Sequence, residues 1–133
     1  MDLRNVAREP VICLTTNTVT YARDQFAEQA TDVIIVVDLD RRPCGLVTKA
    51  DVDEALTSSL RAHFALADVM RPAASIGCRR SLEDALAHME TWSITHLPVL
   101  DENGAVTGLL VADDVRRMID YEQLVLAAAL RDA

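Results

Sequence analysis

The sequence predicts an α/β (α+β) chain of two tandem β-α-β-β-α repeats packed about a pseudo-two-fold axis. Two observations carry that prediction. Gly45 to Val52 reads GLVTKADV, and Gly108 to Val115 reads GLLVADDV. The offset between them, 63 residues, then holds without a gap from about Pro10 to Leu56. Ala22 meets Ala85, Val36 meets Val99, Asp38 meets Asp101, and Asp51-Val52 meets Asp114-Val115. Most other pairs agree only in apolar or polar character. Few identities in a single register mark two copies of a structural unit.

Each copy opens with a short apolar strand, Val11 to Leu14 in the first and around Ile76 in the second. A helix follows, over roughly Thr18 to Gln29 and Ser81 to Thr91. Leu82, Ala85, Leu86 and Met89 recur at helical spacing and form a core-facing stripe. Ser81-Leu82-Glu83-Asp84 resembles a capping box, with a carboxylate at the third helical position. Next come Val33 to Val37 and Leu97 to Leu100. The first of these is apolar at every position, as in a strand buried on both faces. Asn103-Gly104 suits a tight hairpin turn. The returning strands are Cys44 to Val47 and Val106 to Leu110, and second helices start near Ala50 and Asp113. Residues 1–62 make up the first repeat. Residues 63–133 make up the second, with a C-terminal helical extension. Leu66, Val69 and Met70 give the connection helical spacing over Ala65 to Met70.

A unit of about 50 residues buries too little surface to be stable alone, so the two copies are expected to share a core. The chain has 133 residues, half of them hydrophobic, and a net charge of −8. That charge argues against general nucleic-acid binding, which needs a positive face. A small anion, needing only a few local donors, stays open. No secretory leader is apparent, and the longest apolar run is far too short to span a membrane. The expected location is therefore cytoplasmic, with Cys13, Cys44 and Cys78 reduced.

The order and double occurrence of these stretches resemble a tandem pair of cystathionine-β-synthase (CBS) domains. So do Asp68-Val69-Met70-Arg71-Pro72 and Thr95-His96-Leu97-Pro98-Val99-Leu100-Asp101. The resemblance covers about Val6 to Asp120. It implies a stand-alone, non-catalytic sensor module that binds an adenosyl ligand, either an adenine nucleotide (AMP, ADP, ATP) or S-adenosylmethionine, and modulates an unknown partner. It also implies association into a homodimer. No cofactor is required, and no nucleic acid or membrane partner is expected.

In nucleotide-binding members the motif is G-h-x-[T/S]-x-x-[D/N], whose hydroxyl contacts phosphate and whose carboxylate holds the ribose. Gly45, Thr48 and Asp51 match it. By the same analogy Ala73, Ala74 and Ile76 wall the base, and His96 stands where members carry a basic phosphate contact. The second cleft takes Val11, Ile12, Thr95, Val111 and Asp114. It is weaker, because Val111 can neither cap a helix nor donate to a phosphate. Bland alternatives remain beside these. Thr48 to Asp51 also reads as a plain N-cap with a third-position carboxylate. His96 also reads as a satisfied structural histidine, and Arg71, Arg79 and Arg80 as exposed surface charges. His63, Cys78, His88 and His96 match no compact metal-ligand spacing, so no metal site is expected. A ligand-free scaffold is the main alternative. A small metal- or thiol-dependent enzyme is the lesser one.

The stretch from Val115 to Leu130 is long for the second helix. Its apolar stripe either folds back on its own sheet or packs on a second chain, and the second is the reading favoured.

Overall fold

A computed structural model describes residues 2–58 and 60–132. Each repeat has the expected order. The first has β1 (Ile12–Leu14), α1 (Val19–Glu28), β2 (Val33–Val37), β3 (Pro43–Thr48) and α2 (Lys49–Leu56). The second has β4 (Ile76–Gly77), α3 (Leu82–Thr91), β5 (His96–Leu100), β6 (Val106–Val111) and α4 (Ala112–Arg131). The strands form two three-stranded sheets, β1-β2-β3 and β4-β5-β6. In each, the first pair is parallel and the second antiparallel. A register irregularity recurs at Val36/Val37 and Val99/Leu100, at the same place in both copies.

Strand β2 explains its own composition. Ile34 and Val36 face α1 and α2, beside Val19, Ala22, Phe26, Val52 and Ala55. Val33, Ile35 and Val37 face the other sheet, against Val106 and Leu109. A strand with helices on one face and a second sheet on the other has no polar face to present. The sheets therefore meet at the centre of the molecule and the helices cover the outside.

The segments leading into the repeats cross over. Leu3, fully buried, packs in the core of the second repeat with Ala85, Met89, Leu97 and Val115. Leu66, also fully buried, packs in the core of the first. Arg8 pairs with Leu109 on the edge of β6, through two backbone hydrogen bonds of 2.8 and 3.0 Å. Arg71 pairs with Leu46 on β3 through bonds of 2.8 and 2.9 Å. Each lead-in segment thus fastens to the sheet of the opposite repeat, and neither core is complete without it.

Two local expectations change. The connection holds short 3-10 turns at Arg61–His63 and Leu66–Asp68 in place of one helix over Ala65 to Met70. The Asn103-Gly104 turn is wider than a two-residue hairpin, because the Asp101 carboxylate organises it by accepting from the N–H groups of Asn103 and Ala105. Asp38 does the same in the first repeat for Asp40 and Arg42, which accounts for the Asp38/Asp101 identity. The left-handed position of the loop falls on Gly104 (φ +82°) in one repeat and on Arg41 (φ +64°) in the other. Arg41 is held there by Val106, whose N–H donates to the Arg41 carbonyl and whose carbonyl accepts from Arg41 Nε. Helix α4 does not take the less favoured of the two readings of the C-terminal stretch, folding back on its own sheet. It continues to Arg131 with Tyr121, Leu124, Val125, Leu126 and Leu130 exposed.

Candidate functional site

The repeated motif begins with a glycine because two backbones pass there. A Cβ on Gly45 would lie 2.7 Å from the Arg71 carbonyl oxygen and 2.7 Å from Met70 Sδ. A Cβ on Gly108 would lie 2.7 Å from Ala7 Cβ. Real Cβ contacts are not that short, so the crossing of the lead-in segments requires glycine at both positions.

Thr48 ends β3 and caps α2. Its Oγ1 accepts from the Asp51 N–H at 3.1 Å, and Asp51 Oδ2 accepts from the Thr48 N–H at 3.1 Å, a complete capping box. The Asp51 carboxylate also takes the Arg71 guanidinium, with Nε 2.9 Å from both oxygens. Its side chain is 9% exposed. Burial alone would push its pKa up, but Arg71 and the Thr48 N–H outweigh burial and hold it below the usual carboxylate range.

The second copy differs. Val111 caps α4 with extended backbone and no side-chain hydrogen bond. Asp114 accepts from Arg8 Nε at 2.7 Å, Arg8 Nη2 at 3.0 Å and Arg117 Nη2 at 2.8 Å. Arg8 chiefly holds its pKa below the usual value. Arg8 and Arg71 stand at the same offset as Asp51 and Asp114, so each motif aspartate is stapled by an arginine from the opposite lead-in segment.

Between the repeats lies a cleft of about 510 Å³. Its walls come from both: Arg8, Glu9 and Val11, Phe26 in α1, Gln29 and Asp32 in the turn from α1 to β2, Lys49 at the start of α2, and His96, Leu109 and Val111. Burial lowers the His96 pKa. Asp32 pulls it back up and Arg8 pushes it further down. His96 Nδ1 and Thr95 Oγ1 are 2.9 Å apart. Arg8 and Lys49 thus bring two cations, and His96 a ring that burial holds toward its neutral form, to one space of mixed polar and apolar walls that also holds the carboxylates of Glu9 and Asp32. Such a space can take a flat apolar group with an anionic end.

The sequence-expected residues divide among several places. His96, Val11 and Val111 share the large cleft, and Thr95 is exposed beside His96. Ala73 and Ala74 line a separate hollow of about 350 Å³ with Pro72, Trp92 and Ile94. Asp51 lines a third, of about 300 Å³, with Glu54, Arg61, Phe64 and Asp68. Asp114 borders a groove with Asn5, Val6 and Tyr121. The Thr48 hydroxyl oxygen accepts from the Asp51 N–H in its cap. Ile76 is buried in the core of the second repeat, and Ile12 packs between the sheets. Arg71, Arg79 and Arg80 are exposed, and the first is committed to Asp51. The other two pair with Glu102 and Asp84. Among the described residues no group of three or more His, Cys, Asp or Glu could hold a metal ion. Burial pushes the Cys13 thiol up to about 11, the behaviour of a core side chain. Arg8, Lys49 and Trp92 were not singled out from the sequence. Extending the 63-residue offset toward the N-terminus pairs Leu3 with Leu66 and Arg8 with Arg71, and would have found the first of them.

The sequence matches the CBS domain family over residues 2–58 and again over 66–121. No curated protein is significantly similar to it. Solved structures are similar in fold. One is the CBS domains of a transcriptional regulator from Streptococcus pneumoniae, at 17% identity and TM-score 0.73, covering 88% of this chain and 98% of that one. Another is the CBS domain pair of protein MJ0100 in complex with 5-methylthioadenosine and S-adenosyl-L-methionine, at 15% identity and TM-score 0.74, covering 92% and 98%. A third is CBSX2 in complex with AMP, at 20% identity and TM-score 0.74, also covering 92% and 98%.

Proposed function

The chain belongs to the CBS domain family, and from that premise we propose that it is a regulatory module. It binds an adenosyl ligand in the cleft between its repeats and passes the bound state to a partner protein; it is not an enzyme. The observation carrying this reading is the 510 Å³ cleft itself, built by both repeats and lined by Arg8, Lys49 and His96 beside Val11, Phe26, Leu109 and Val111. It is the Val11 and Val111 cleft, read from the sequence as the weaker, and it is preferred to the Thr48 and Asp51 one because His96 lines it and Asp51 is taken by Arg71. The complexes of MJ0100 and CBSX2 with adenosyl compounds support the ligand class. A nucleotide suits the cleft better than a cationic sulfonium, since its phosphate would meet the three nitrogen side chains. A second reading places the ligand beside Ala73 and Ala74, favoured by the exposed Trp92 next to them as a stacking surface. The exposed apolar half of α4 is read as a face that a second copy covers.

A thermal-shift series with AMP, ADP, ATP and S-adenosylmethionine tests the reading. Ligand at ~100 times its Kd adds ~2.7 kcal/mol of stability. Titration calorimetry should give one site per chain. Affinity should fall in His96→Ala and persist in Ala74→Leu if the large cleft is the site. The reverse pattern moves the ligand to the Trp92 hollow, and no shift with any compound leaves a ligand-free scaffold.

A further inference from the structure

We propose that Arg8 couples occupancy of the inter-repeat cleft to the first turn of α4. The inference rests on the cleft reading above and adds how a bound state leaves the cleft.

Arg8 stands in two places at once. It lines the cleft, and its guanidinium makes a two-point pair with Asp114 in the first turn of α4. Its Nε and Nη2 edge is committed to Asp114 while Nη1 is left over, so an anion in the cleft disturbs the pair by taking that same two-point edge. A phosphate-bearing ligand therefore competes with Asp114 for Arg8. An uncharged nucleoside does not.

The two staples then respond differently, and Val111 is the reason. If Arg71 is drawn from Asp51, α2 keeps the Thr48 capping box, which needs no arginine. If Arg8 is drawn from Asp114, α4 has no side-chain cap to fall back on. The remaining partner of Asp114 is Arg117, on the same helix, which cannot tie that helix to the rest of the fold. Among the described residues, Arg8 makes the side-chain hydrogen bonds that join the first turn of α4 to another element. The helix so loosened keeps the Ala112 N–H bond to the Thr95 carbonyl (2.9 Å) and the buried Ala112 and Val115, so the change is confined to the fastening of its first turn. It is also the helix that runs on to Arg131 with Tyr121, Leu124, Val125, Leu126 and Leu130 exposed. One repeat has a self-sufficient cap and the other a cap that depends on the cleft.

Hydrogen–deuterium exchange on the full chain tests this in two arms. In Arg8→Ala, amides of residues 113–117 should exchange about tenfold faster than in the wild type, as expected when a charged pair worth about one decade is removed. In Arg71→Ala, amides of residues 50–54 should stay within about threefold, because the capping box remains. Asp114→Asn should reproduce Arg8→Ala, and serves if that variant fails to fold. In the second arm AMP should speed exchange at residues 113–117 of the wild type, and adenosine should not. Unchanged α4 exchange in both Arg8→Ala and Asp114→Asn overturns the coupling, as does an equal response of α2 to Arg71→Ala. AMP binding, seen by calorimetry, without a change at α4 overturns the coupling and leaves the ligand reading intact. No binding of AMP or adenosine overturns the ligand reading, and the AMP-driven coupling with it.

Discussion

Replacing Val111 with threonine tests why the two motif stretches differ. Val111 occupies the N-cap of α4 with φ −110° and ψ 134°, close to the φ −97° and ψ 162° of Thr48 at the cap of α2. Threonine therefore enters without backbone rearrangement. Its hydroxyl should accept from the Asp114 N–H, as Thr48 Oγ1 accepts from Asp51 at 3.1 Å. Val111 is only partly buried and lines the open cleft, so the hydroxyl is not stranded in an apolar core. A gained N-cap contributes ~1 kcal/mol. For a chain of this size that raises Tm by about 4 °C, read by calorimetry. The opposing effect, an unpaired hydroxyl in an apolar setting, would remove ~1–3 kcal/mol and lower Tm. The sign alone separates the two accounts. A double-mutant cycle sharpens the result. If Arg8 substitutes for the missing cap, Arg8→Ala should destabilise the Val111→Thr protein less than the wild type, with a coupling of at least ~0.5 kcal/mol. A lower Tm, or strict additivity with Arg8→Ala, would refute the reasoning.

The glycines give a second expectation. Gly45→Ala drives a Cβ against the Arg71 carbonyl, and Gly108→Ala drives one against Ala7. Each should lose ~1–3 kcal/mol in urea unfolding, with Gly45→Ala the worse because its obstacle includes backbone. Acid should expose the staples: Asp51 and Asp114 both titrate below their ordinary value, so their stabilising contribution is complete above about pH 3.9 and is lost as pH falls through the lowered folded values. Unfolding free energy measured from pH 5 downward should thus fall less steeply in an Asp51→Asn/Asp114→Asn double variant than in the wild type. Truncation after Asp120 removes the exposed Leu124, Val125, Leu126 and Leu130, so it should leave the fold intact and weaken self-association. A light-scattering mass of one chain at micromolar concentration, before truncation, would rule out the dimer.

The architecture was legible because it rests on periodicity and repetition, which the chain states twice. The run Val33 to Val37 could only be a strand covered on both faces, and so it is. The site was less legible for a physical reason. A motif fixes which side chains are near in sequence, whereas the partner of each motif aspartate comes from a segment crossing over from the other repeat, 20 positions away for Arg71 and 106 for Arg8. Gly45, Thr48 and Asp51 fit a ligand-binding pattern, and each also has a complete structural task here: close approach, cap, and capping box with staple. The informative letter is therefore the one that breaks the pattern. Had Val111 been threonine, both aspartates would be held by their own helices and the arginines would be duplicate fastenings. With valine, only the first helix has its own cap. Arg8 fastens α4 through Asp114 as Arg71 fastens α2 through Asp51, but without a cap beside it, while standing in the wall of the cleft between the repeats. A chain with threonine at both positions would cap its two helices alike; here, of the two, only α2 has a side-chain cap.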